Sequence, residues 1–156
     1  MDAIKVVDRF FDEVWNQRQY AVLDEIIDPD CVTHQLRSAD GPIAGTPRGP
    51  AALRQHIEDW VRAFPDIVVS VDHRCVGGTH IVSWVTMRGR NEGAWQGVPP
   101  TGRRITIRTV AQHRVEADRI REDWVMVDAL GLLQQLGIVG TTAELLAGAT
   151  TSNNAR

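Results

Sequence analysis

The feature that most constrains this chain is a change of period at Pro65. Before it, apolar residues recur at helical spacing; after it, they recur every second residue. Ile4, Val7, Phe10, Phe11, Val14 and Trp15 predict an amphipathic helix over 3–17. Tyr20, Leu23, Ile26 and Ile27 predict a second, short helix stopped by Pro29. CVTHQ (31–35) reads as a short strand, and GPIAGTPRGP (41–50) as a Gly/Pro loop. Leu53, Ile57, Trp60, Val61 and Phe64 mark a third helix, which Pro65 ends.

Beyond Pro65 the segments 67–76, 80–90, 104–115 and 119–127 read as strands, joined by turns at Gly77-Gly78 and Glu116–Asp118. NEGAWQGVPPTGR (91–103) is a long connection or a bulged strand end. Asp128 can cap a closing helix whose stripe is Leu130, Leu133 and Leu136, ended by Gly137. Helices followed by hairpin-linked strands give an α+β fold, with the helices packed on one face of a curved antiparallel sheet.

The strands also say something about the second face. A sheet wet on one side alternates strictly. HIVSWVTM and VMV are apolar at both parities, so both faces are expected to be covered. Either an internal apolar pocket or a subunit interface explains that pattern.

A chain of 156 residues favours one domain, here 1–140; the small, polar tail 141–156 is expected to be poorly ordered. A net charge of −3 gives no reason to expect nucleic acid or an anionic membrane as a partner. Cys31 and Cys75 lack a CxxC partner and read as buried reduced thiols of a cytoplasmic protein. MDAIKVVDRFF has neither the basic start nor the apolar run of a signal peptide, and no apolar stretch is long enough to span a membrane.

Asp123 lies among Trp124, Val125, Met126 and Val127, and a carboxylate buried without a partner is costly. It is either an acid/base group or the partner of Arg121, Arg108 or Arg114. His34 follows a helix-to-strand turn and is either catalytic or a structural histidine. His113 either reaches the interior or sits in solvent beside the hairpin. His56, His73 and His80 read as surface or turn residues, and no HExxH or HxH spacing suggests a metal. Trp60, Trp84, Trp95 and Trp124 either line a slot for a flat aromatic substrate or fill the core, with Trp95 the best placed to act as a lid. Met87 and Val125 are candidate apolar contacts, and Thr109 and Gln112 could hydrogen-bond substrate carbonyls.

Two stretches, GAWQGVPPTGR (93–103) and DALGLLQQLG (128–137), together with FPDI (64–67), carry a family resemblance. Over roughly residues 3–138 the chain resembles the SnoaL-like polyketide cyclases, or ester cyclases, of the nuclear transport factor 2-like superfamily. The resemblance implies a cone-shaped curved sheet enclosing an apolar cavity. It implies a cyclase domain over 1–140, no metal or organic cofactor, a hydrophobic small-molecule substrate, and a homodimer or homotetramer. It also implies intramolecular aldol ring closure on a polyketide ester. In the resemblance the family's essential Asp falls at Val125 and its companion His at Ala111. Asp123, with His34 or His113 assisting, is then the expected proton-moving set. Water addition or epoxide opening in the same cavity, with Asp123 and Arg108 as partial matches, is one alternative; non-catalytic binding of a small molecule is another.

Overall fold

The computed structural model describes residues 2–35 and 45–153. The start of the Gly/Pro loop, 41–44, and the last three residues of the tail lie outside them. Helix α1 (Ala3–Arg9) opens on Asp2, whose Oδ1 accepts from the Ile4 amide at 3.1 Å. The single helix expected over 3–17 does not stay regular: Phe10–Asn16 is a π-helix. Its buried residues explain the widening. Val6 and Val7, Phe10 and Phe11, Val14 and Trp15 are buried pairs repeating every four residues, not every 3.6. Opening to the i→i+5 pattern keeps both columns aimed at the sheet. Helix α2 (Val22–Ile26) follows, then α3 (Pro50–Ala63), with Pro50 in its first turn.

Strands β1 (Ile27–Gln35), β2 (Gly45–Pro47), β3 (Val68–Gly77), β4 (His80–Arg90), β5 (Arg104–Glu116) and β6 (Arg119–Val127) form one curved, open sheet in the order β2-β1-β6-β5-β4-β3. The sheet is mixed rather than antiparallel, because β1 runs parallel to β6. The hairpins linking β3 to β6 are antiparallel by construction, but β1 arrives from the helices, and local periodicity carries no direction for it. β1 also begins at Ile27, through Pro29, with a register shift before Val32. Part of the expected loop pairs with it as β2. Asn16 closes the edge strand β3 by exchanging two 2.8 Å hydrogen bonds with the Val69 backbone.

Helix α4 (Ala129–Leu136) is capped by Asp128, which accepts from the Gly131 amide at 2.8 Å, and it ends at Gly137 with φ 73°. The small, polar stretch beyond carries helix α5 (Thr142–Asn153), which is exposed as far as Ala149. No helix among the described residues is long and apolar enough to cross a membrane. Both cysteines are free; Cys31 is buried as expected, but Cys75 is exposed on edge strand β3.

The two faces of the sheet differ. Ile81, Ser83, Val85 and Met87 of β4, and Ile105, Ile107, Thr109, Ala111, His113 and Val115 of β5, are buried beneath the helices. The opposite parity carries Trp84, 41% exposed, and Met126, 52% exposed. Among the described residues the helices cover only the first face, and apolar residues of the second parity such as Trp84 and Met126 are open.

Candidate active site

Register places the site. On the covered face Thr33 of β1 pairs with Asp123 of β6, and Asp123 pairs with His113 of β5, which pairs with Ile81 of β4. Directly opposed residues bring their Cβ atoms to about 5 Å. The row Thr33–Asp123–His113 is therefore continuous across three strands.

Every polar member of that row is buried, and each leaves an atom unmatched. Asp123 is 6% exposed and His113 2%. Thr33 Oγ1, Asp123 Oδ1 and His113 Nδ1 make no hydrogen bond, nor does Ser83 Oγ, which sits beside Ile81 and His113 on the same face. Buried polar groups are nearly always satisfied, so four unmatched atoms on one face of one sheet require an explanation.

Burial moves both titratable groups, in opposite directions. It pushes the Asp123 carboxyl up to about 6, against the opposing pull of the Thr33 hydroxyl, which faces the carboxyl without full hydrogen-bond geometry, and of the Arg48 and His34 charges. It pushes the His113 imidazole down to about 4, assisted by the Arg74 charge. The aspartate is thus the stronger base of the pair, and near neutral pH it is ionised beside a neutral imidazole. His113 is held edge-on by Phe10 and Phe11, at centroid distances of 5.5 and 5.7 Å. The π-helix is what lets two consecutive phenylalanines reach one ring. Cys31, on the same face, cannot serve as a thiolate nucleophile near neutral pH, because burial and then the Asp123 charge push it up to about 12.

None of the arginines expected to neutralise Asp123 does so. Arg121 pairs with Asp28 at 2.5 Å, and Arg114 pairs with Glu116 at 2.8 Å and Glu122 at 3.1 Å. Arg108 is exposed at the open parity of β5, so it does not combine with Asp123 as water-adding chemistry would require.

The other expected site residues divide between the faces. Val125 pairs with Ala111 one pleat along the covered face, and Thr109 lies within 3.8 Å of the Met87 sulfur there. Trp60 and Trp95 pack together at 5.7 Å, with Phe64 stacked on Trp60 at 5.6 Å. They lie near Gly89, at the far end of β4 from Ile81. Trp95 is not loose: it forms a small hairpin with Val98, and buried Asn91 ties that connection to Ala63 O and Thr101. Gly93 permits this, since a Cβ there would lie 2.0 Å from Arg62 O.

His34, Trp84, Gln112 and Trp124 are not with Asp123. They occupy the opposite parity, on the open face: His34 pairs with Trp124, Trp124 with Gln112, and Trp84 with Val110. His34 stacks on Trp124 at 4.9 Å and places Nε2 2.6 Å from Glu122 Oε1. The four tryptophans therefore form no single slot. Alternation along a strand puts neighbours such as Thr33 and His34 on opposite sides, and with both parities apolar the sequence does not reveal which side is inward. Sequence patterning singles out neither Thr33 and Ser83 of this face nor Arg48, whose charge reaches Asp123. Thr33 is recoverable as the position beside His34; Arg48, in a Gly/Pro stretch without period, carries no signal. Among the described residues no three His, Cys, Asp or Glu side chains gather as a metal site.

A model of the SnoaL-like polyketide cyclases matches residues 5–136. The chain belongs to that family. The solved structures agree on the fold. IdmH of Streptomyces antibioticus, a candidate polyketide cyclase, is 28% identical with a TM-score of 0.75, over 88% of this chain and 99% of that one. TsrD of Streptomyces laurentii is 25% identical with a TM-score of 0.73, over 88% and 96%. AclR of Streptomyces galilaeus, a candidate hydroxylase, shares the fold at 20% identity and a TM-score of 0.75, over 99% and 94%. Comparison with curated proteins gives no significant match. In this SnoaL-like chain Val125 faces Ala111, and the neighbouring cross-strand pair one pleat away is Asp123 and His113.

Proposed function

We propose that this protein is an acid/base enzyme that closes a ring in a hydrophobic, polyketide-like substrate by an intramolecular aldol reaction, using no metal or organic cofactor. Asp123 is the base, and neutral His113 is its hydrogen-bonding companion. One observation carries the reading: Asp123 and His113 face each other across β5 and β6 under the helices, each with a polar atom left unmatched. Because the strands are antiparallel, moving two residues forward on β5 and two back on β6 slides a facing pair as a unit. The Asp–His pair expected at Val125 and Ala111 is thus kept as a pair, on the same face, one pleat along.

The chemistry needs little more than this. A carbon between two carbonyls loses a proton to Asp123, whose raised pKa matches a base working near neutral pH. The resulting enolate attacks a second carbonyl of the same chain, and that oxygen takes a proton back. Burial excludes water and holds the reacting carbons together. The mostly apolar row of Val85, Thr109 and Met87, leading toward Trp60 and Trp95, suits an extended, partly aromatic substrate.

The test is turnover of an aromatic polyketide ester by wild-type protein and by Asp123→Asn. The variant is expected to lose at least about 100-fold in rate while binding the ester within about threefold. Undiminished turnover would remove Asp123 from the mechanism. Oxygen from labelled water in the product would show water addition instead of ring closure.

A further inference from the structure

We propose that Arg48 is the oxyanion-binding group of this site: its Nη1 receives the substrate oxygen that gains charge as Asp123 takes the neighbouring proton. The inference rests on Asp123 being the base and goes further, by naming the group that stabilises what the base creates.

Arg48 stands where β2 ends. Its amide donates to Cys31 O at 2.7 Å, fixing the backbone against β1. At Gly49 a Cβ would lie 2.6 Å from Pro29 O, so the chain passes tight beneath β1 before Pro50 opens α3. The Arg48 side chain is half-buried there. Its Nη1 is buried and makes no hydrogen bond, and its charge reaches the Asp123 carboxyl and lowers its pKa.

Other arginines near the covered face each have a partner, although each also keeps one buried nitrogen unmatched: Arg18 Nη1, Arg74 Nε and Arg121 Nε. Arg74 pairs with Asp8 at 2.8 Å, Arg121 with Asp28, and Arg18 donates to Ile67 O at 2.8 Å. A buried guanidinium nitrogen without an acceptor is expensive, and it cannot escape by losing its proton. The unmatched Asp123 Oδ1 and Thr33 Oγ1 belong to the same corner of the sheet. A ligand oxygen bearing negative charge would satisfy the donor.

The step balances. The C–H bond breaks and its proton goes to an Asp123 carboxylate oxygen. The electron pair becomes the carbon–carbon double bond of the enolate, and the carbonyl oxygen takes the charge at Arg48 Nη1. The negative charge has moved from aspartate to substrate within reach of one cation, and preorganised donors of this kind are a large source of rate.

The probe is 4-hydroxycoumarin, a flat acid whose anion is an enolate, against coumarin, which lacks the ionisable oxygen. By calorimetry at pH 7 the wild type is expected to bind the anion about tenfold tighter than coumarin. Arg48→Gln should erase that preference and leave coumarin affinity within about threefold; Arg48→Lys should keep part of it. A wild type with no preference for the anion, or a glutamine variant that retains it, overturns the proposal. If the glutamine variant fails to fold, as judged by circular dichroism, the lysine variant decides: an anion preference equal to the wild type's is then the overturning result. Asp123→Asn should keep or strengthen the preference, since it removes a negative charge. Failure of the base assignment would appear as undiminished turnover in that variant with anion binding intact, so the two ideas fail separately.

Discussion

Adjacent residues on the same strands meet opposite fates on the two faces of this sheet. On the open face, Glu122 is matched by His34 and Arg114. One residue along, on the covered face, Asp123 is buried with an unmatched oxygen. His113 and Arg114 repeat the contrast: the imidazole is desolvated and neutral, whereas the guanidinium is paired twice. The open face follows the ordinary rule that charges are solvated or paired, and the covered face breaks it in one row. Polar groups kept against their own desolvation cost concentrate where chemistry is done.

The sharpest way to break this comparison is to neutralise the covered acid. Asp123→Asn is expected to cost activity yet raise stability. A carboxyl shifted from 3.8 to about 6 holds the native state back by about 3 kcal/mol at neutral pH. Denaturant unfolding at pH 7 should therefore show the variant more stable by up to that amount. A less stable variant would mean the carboxylate is a structural partner after all.

The pH dependence of stability sharpens the same point. The folded-state pKa of Asp123 is raised, so its contribution is full below about pH 4 and is lost as pH rises through about 6. That of His113 is lowered, so its penalty is absent above about 6.5 and grows as pH falls toward 4. Between pH 4 and 6 the two slopes oppose each other, and together they leave the wild type nearly level. In Asp123→Asn the histidine slope stands alone, and stability should rise by about 1.4 kcal/mol per pH unit across that window. In His113→Phe, which extends the cluster of Phe10 and Phe11, stability should instead fall with pH, and activity should drop about tenfold. Parallel slopes in the two variants would show that these groups are not the buried pair described.

Much of this was legible in the sequence, and the part that was not has a common cause. The hairpin strands β4, β5 and β6 match their expected limits closely, because alternation and turn residues are local signals. Asp128 capping α4 and Gly137 ending it were equally local. What failed was sidedness. Chemistry alone groups His34, Trp84 and Trp124 with Asp123, but side depends on register, and register is set by pairing between distant segments. The parallel placement of β1 is the same kind of fact, and so is the π-helix, which answers the sheet beneath it. Arg48 lay hidden because its role comes from where Gly49 and Pro50 send the chain, and nothing in its own stretch repeats.

The smallest expected effect tests the open face. In Glu122 the hydrogen bond from His34, then that from Arg114, holds the carboxyl below the usual range. A lowered pKa stabilises the fold above the unfolded value of 4.5, and the gain is lost as pH falls through the folded one. The group is partly solvated, so screening limits its worth, and Glu122→Gln should change stability by less than about 1 kcal/mol at pH 7. Turnover should stay within about twofold, since the side chain points away from the Asp123–His113 row. The measurement is a rate and an unfolding midpoint taken beside those of Asp123→Asn. A rate loss in Glu122→Gln comparable to that of its neighbour would mean the sheet does not separate the two faces, and the distinction drawn between residues 122 and 123 would fall.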